Sequence, residues 1–115
     1  MNNDLTSLTE AVVGFSHRRG WGSFHSPRNL LLALVGEVGE LAAELQWVPE
    51  TEAHELSEEH LTRVRHELAD VQIYVLQFAH ALGIDVASAV HEKMAINLER
   101  WPEPTMLRIG VKCPT

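Results

Sequence analysis

The sequence contains a single cysteine, Cys113, close to its C-terminal end. That excludes an intrachain disulfide and fits a reducing cytoplasm, where the protein is expected to reside. No apolar run approaches the roughly 18 residues of a membrane helix, and no N-terminal segment joins a charged start to an apolar stretch, so neither a membrane span nor a signal peptide is expected. Basic residues are scarce: 9 Lys and Arg stand against 16 Asp and Glu, for a formal net charge of −7. Phosphate polymers and membrane surfaces call for a basic footprint, so neither is an expected partner. Small polyanions stay open if metal ions screen the acids. There is no glycine-rich phosphate loop and no nucleophile elbow. The 7 histidines form no His-x-x-x-His pair, and no Glu-x-x-His falls on a long helix, which disfavours a ferritin-like di-iron centre. Ser, Cys and His do not assemble an argument for covalent catalysis.

What is present is an ordinary globular composition, 45% hydrophobic and 22% charged over 115 residues. This is enough for one domain with a real core and too little for two. No repeat or low-complexity segment interrupts it.

The chain is organised around Asn29 to Trp47, NLLLALVGEVGELAAELQW. Six apolar residues, Leu30 to Val35, lead into Leu41, Ala42 and Leu45 at helical spacing, so the stretch reads as one long buried helix. Gly36 and Gly39 sit inside it, each costing about 1 kcal/mol relative to alanine, and suggest close approach of a backbone or a ligand. Glu37 and Glu40 are three residues apart, which places both carboxylates on roughly one side of the helix. Glu44 follows a turn later.

Before this helix, a first helix is expected to begin near Asp4 to Ser7, where Ser7-Leu-Thr-Glu10 has the form of a capping box, with Leu5, Leu8, Val12 and Phe15 on one face. The loop WGSFHSPRN then gathers Trp21, Phe24, His25 and Arg28, either as a plug on the bundle end or as ligand contacts. Ser26 and Pro27 suit the cap and first turn of the central helix. After Trp47 an acidic, proline-started connection leads to Ser57, the expected cap of a third helix running to about Leu82. Its apolar face, widened by Ile73 and Phe78, calls for two neighbours. Gly83 marks a stop, Asp85 a new cap, and a fourth helix is expected to end at Arg100. No strand is expected, and the fold class is all-α: a four-helix bundle over residues 1–102 with a tail over 103–115.

The third helix repeats the acidic device in Glu67-Leu-Ala-Asp70. The intervening chain is long enough to bring it back antiparallel to the central helix, so that Glu37, Glu40, Glu67 and Asp70 converge. Four unpaired acids on packed inner faces repel one another and lose hydration, and so need cations. All-oxygen ligation points to Mg²⁺, with Mn²⁺ possible. Such ions suit hydrolysis of phosphate anhydrides. Lys93, Asn97 and Arg100 share one face of the fourth helix and offer either phosphate contacts or a solvated face. The contrasting reading is an acidic helical interaction module without catalysis, in which case the acids would lie on an exposed face rather than beside Val35, Val38 and Leu68. The apolar surfaces of helices two and three exceed what one chain can cover, so a homo-oligomer is expected.

The stretches FHSPRNLLLALVGEVGELAAELQW, ELADVQIY and KMAINLERWP together resemble the MazG-like all-α nucleoside triphosphate pyrophosphohydrolases, and among them the dCTP pyrophosphatases. The resemblance covers roughly residues 5 to 102. It implies hydrolysis between the α and β phosphates, Mg²⁺ held by Glu37, Glu40, Glu67 and Asp70, and a tetramer made of two dimers. It further implies nucleotide contacts from Trp21, His25, Trp47 and Tyr74, with Lys93 and Asn97 on the phosphate side. The dCTP enzymes of this resemblance have a histidine nine residues before the first tryptophan, where this chain has Val12. The resemblance implies dCTP or a modified relative as the substrate, and the departure at Val12 opens dUTP or a broad set of triphosphates as the alternative.

Overall fold

The structure is a computed structural model describing residues 4–103. From residue 104 onward, the expected tail lies outside the described residues. Four helices follow one another: α1 Leu5–Arg18, α2 Pro27–Leu45, α3 Glu58–Ala81 and α4 Val86–Arg100, with short 3-10 turns at Gly22–Phe24 and Glu50–Glu52. Among the described residues there is no strand, as the sequence leads one to expect. No single helix there is long and apolar enough to cross a membrane.

The helix starts follow from side chains that satisfy otherwise unpaired backbone N–H groups. Ser26 accepts from the Asn29 N–H with Pro27 in the first turn, Ser57 accepts from His60, and Asp85 accepts from Ser88. α1 begins within the expected span of Asp4 to Ser7, but without the expected capping box. Its cap is Asp4, which accepts from the Ser7 N–H at 2.7 Å, so Ser7 is already helical and no capping box forms there. The end of α3 is set by Gly83, which takes φ +67° and lets the Ile84 N–H reach the Ala79 carbonyl at 2.8 Å.

The chain forms two compact units, one ending at Ile84 and the other beginning at Asp85. In the first, α3 packs along both α2 and α1, which meets its expected need for two neighbours. The stripe of α2 turned toward the packing is Leu30, Leu34, Glu37, Leu41 and Glu44, at helical spacing, with Leu30 fully buried. On α3 the deepest residues are Leu76, Gln77 and Ala79.

Two expectations about burial need correction. α2 is not a buried helix in the single chain: Leu32 is 61% and Val35 64% exposed, and Leu68 on α3 is 55% exposed. One neighbour covers one stripe of a helix, and the other apolar residues of α2 lie off that stripe. Likewise, a Cβ added at Gly36 or Gly39 would meet nothing within 4 Å, so among the described residues no other part of the backbone approaches these glycines. On α1 the inward face is centred on Ser16, which is buried, whereas Phe15 is 46% exposed. The second unit contains α4, whose last turn closes with the Trp101 N–H donating to the Asn97 carbonyl at 2.7 Å.

Candidate active site

Glu37 lies on the inward stripe of α2, and Glu67 and Asp70 lie a turn apart on the face of α3 that packs against it. One carboxylate oxygen from each of the three falls within 4.8 Å of the others. Glu37 Oε2 and Glu67 Oε2 are buried and meet no hydrogen-bond partner. Glu40 is the more exposed of the α2 pair and stands on the shoulder of this group. Three residues of helix leave it about 60° around the axis from Glu37. It remains close enough to hydrogen-bond with Glu37 and to act on Glu67. Three of the four expected acids thus meet directly and the fourth flanks them.

The electrostatics follow from this crowding. Burial, followed by the hydrogen bond with Glu40 and the charges of Glu40, Asp70 and Glu67, holds the Glu37 carboxyl above its ordinary value. Burial followed by the charges of Glu40 and Asp70 does the same to Glu67. Glu44 is handled differently. Arg63 Nε donates to its Oε1 at 3.1 Å, and His60 Nε2 lies 3.4 Å from the same oxygen. This acid already has the Arg63 guanidinium beside it, whereas among the described residues Glu37, Glu67 and Asp70 form no ion pair.

The donor set fits a hard divalent cation: three carboxylates from two helices, close enough to share one ion, with two oxygens that have no other partner. Glu37 and Asp70 also border a pocket of about 400 Å³. Its aromatic and polar walls include Trp21, His25, Tyr74, Ser16 and Gln77, and Val12 and Ile73 supply apolar surface. Trp21 is held edge-on against Phe15, with ring centroids 5.9 Å apart. The loop that carries Trp21 and His25 is tied to α2 by Asn29 Nδ2, which donates to the Phe24 carbonyl at 3.0 Å. Trp21 and His25 thus stand in the pocket wall.

One expected contact in the first unit is not gathered here. Trp47 is 86% exposed and does not line the pocket. Lys93 and Asn97 stand one turn apart on α4, in the second unit.

Sequence reasoning missed Ser16 and Gln77, both buried, with Gln77 Nε2 donating to Ser16 Oγ at 2.9 Å. A signal for Gln77 exists. Glu67, Asp70, Tyr74 and Gln77 recur at spacings of three, four and three, which makes a single polar stripe down an otherwise apolar face.

The MazG-like family profile matches residues 36–111. The chain is similar to dCTP pyrophosphatase 1 of Homo sapiens, 46% identical over 100 residues, and to that of Mus musculus, 44% identical over 100 residues. Each match takes in 85% of this chain and 59% of the relative, so the chain spans less than two thirds of their length. It also resembles the crystal structure of a pyrophosphatase from Archaeoglobus fulgidus, with TM-score 0.81 and 32% identity over 90% of this chain and 96% of that one.

Proposed function

The chain belongs to the MazG-like family, and from that premise we propose that it is an enzyme hydrolysing nucleoside triphosphates between the α and β phosphates. The products are a nucleoside monophosphate and pyrophosphate. The observation that carries the reading is the juxtaposition of the three-carboxylate cluster, with its two orphaned oxygens, and a pocket that shares Glu37 and Asp70 with it and has Trp21 and Tyr74 in its wall. One end suits a base and the other a metal-bound phosphate.

In this reading Glu37, Glu67 and Asp70 hold Mg²⁺ with Glu40 beside them. The ion would screen phosphate charge and lower the pKa of a bound water. Trp21 and Tyr74 supply faces for the base, and His25 borders the same space. Glu40, the most exposed of the four acids, would be the one placed to accept the proton released by the attacking water. Lys93 and Asn97 are proposed as phosphate contacts, and Trp47 as a nucleotide contact.

The favoured substrate is dCTP or a modified relative, which is what the names of the matched relatives support. Val12 in the pocket wall favours a second reading, dUTP or a broader set of triphosphates. A homo-oligomer is supported by the exposed apolar residues of α2 and by Trp47, and the family resemblance favours a tetramer over a dimer. Incubation of the purified protein with each deoxynucleoside triphosphate and Mg²⁺, followed by chromatography, tests the reaction. Monophosphate and pyrophosphate are expected. Diphosphate and phosphate, or no product from any triphosphate, would refute it.

A further inference from the structure

The pocket contains one polar pair that neither metal nor phosphate chemistry explains. Gln77 is 7% and Ser16 4% exposed, and they join α3 to α1 through a single hydrogen bond of 2.9 Å. Both line the pocket that Trp21 and Tyr74 also line. Gln77 Oε1 is buried and has no partner. A mere strut between two helices would gain nothing from this, because a buried oxygen left unpaired is destabilising, and an apolar pair of the same shape would pack as well. An acceptor left open at the wall of a cavity is what a site needs when a donor arrives with the ligand.

Position agrees with this. Gln77 is seven residues beyond Asp70 on α3, about 10 Å along the helix axis. That separation is of the size that a nucleoside spans between its phosphate and the far edge of its base. Around Gln77 the wall is apolar, with Val12 and Ile73 close by in the lining. A hydrogen bond made there is shielded from water. The amide is tied only at Nε2, and the terminal torsion of glutamine is broad. Rotation about that torsion is the movement that would bring Oε1 toward a ring in the pocket.

We propose that Gln77, oriented by Ser16, is a specificity-determining residue that accepts an N–H from the edge of the substrate base. In dCTP the donor is the 4-amino group. The proposal rests on the nucleotide reading above. An amide oxygen is an acceptor only, so a base with no N–H at that edge leaves it unpaired, and a site built around a hydrogen bond rejects analogues that lack it.

The test compares dCTP with the 2-pyrimidinone deoxynucleoside triphosphate, which lacks only the 4-amino group, with dUTP as a further arm. Binding is read from tryptophan fluorescence and turnover from pyrophosphate release, both with Mg²⁺, for wild type, Gln77→Met and Ser16→Ala. Wild type should prefer dCTP over the pyrimidinone by about tenfold to a hundredfold. In Gln77→Met that ratio should collapse toward one, and in Ser16→Ala it should fall part of the way. If wild type instead prefers dUTP over the pyrimidinone and Gln77→Met erases that preference, the donor is the ring imide and the role of Gln77 stands. A strut alone would weaken both nucleotides equally and preserve the ratio, which overturns the proposal. If Gln77→Met does not fold, Ser16→Ala decides by the same ratio. Discrimination in binding without pyrophosphate release would refute the enzymatic reading and leave this one standing. If wild type binds neither nucleotide, both fall.

Discussion

Glu37 on α2 and Glu67 on α3 face one another across the seam between the two helices, each with a buried Oε2 that no donor reaches. Both carboxyls are held above their ordinary value of 4.5, first by burial and then by their acidic neighbours. Between 4.5 and the raised values the folded chain binds more protons than the unfolded chain. Stability from these groups is therefore fully present below the unfolded value and is lost as pH rises through the folded ones. Without metal, melting temperature should fall as pH rises above 4.5, more steeply in wild type than in Glu37→Gln. Metal binding needs the deprotonated acids, so the melting-temperature gain from Mg²⁺ should grow over the same window. A gain that stays flat with pH would contradict this arrangement.

Trp21 lines the pocket, and stacking on an aromatic face is worth about 1–3 kcal/mol per base. Trp21→Ala should therefore weaken nucleotide binding by roughly one to two decades and leave helix content unchanged. Titration of the mutant with dCTP, read from the remaining tryptophans or by calorimetry, checks this. An unchanged affinity would return Trp21 to a packing role against Phe15.

The exposed apolar residues of α2 predict association. Val35→Glu places a charge on a face that the chain itself leaves open, at 64% exposure, so it should spare the fold of the single chain and split the assembly. Light scattering at micromolar concentration should report an oligomer for wild type and a smaller species for the mutant. A stable wild-type species of 12.9 kDa would contradict the proposed oligomer.

Gly83 has φ +67° with open space around its missing Cβ. Gly83→Ala should then destabilise through backbone strain alone, by about 1 kcal/mol. Denaturant unfolding with the midpoint lowered and the slope unchanged is the expected result.

Helix positions were legible in the sequence because their signals are local. Ser26, Ser57, Asp85 and Gly83 each act on a backbone group within a few residues. The start of α1 was less so, since Asp4 and Ser7 both offer a capping oxygen and only the fold selects one. The acid cluster was readable from two Glu/Asp pairs at i and i+3, but their division of labour was not. The stripe through Leu30, Leu34, Glu37 and Leu41 fixes which acid faces α3 and leaves Glu40 at the side. Ser16 escaped notice because a serine in an amphipathic helix carries no sign of burial, and its partner is 61 residues away. The openness around Gly36 and Gly39 was likewise invisible, since a glycine pattern signals close approach without saying which chain supplies the neighbour.

The acid cluster is the centre of the account, and the stability of Glu67→Gln tests it most directly. Metal-free, wild type holds the carboxylates of Glu37, Glu67 and Asp70 together, so neutralising Glu67 relieves repulsion. The mutant should melt at the same temperature as wild type or higher. With millimolar Mg²⁺ the order should reverse, because wild type gains stability by mass action and the mutant gains less. Pyrophosphate release from dCTP should fall by orders of magnitude in the same mutant. Thermal melts in chelator and in Mg²⁺, paired with that assay, give the result. A mutant that is less stable by the same amount in both conditions and still releases pyrophosphate would contradict the account.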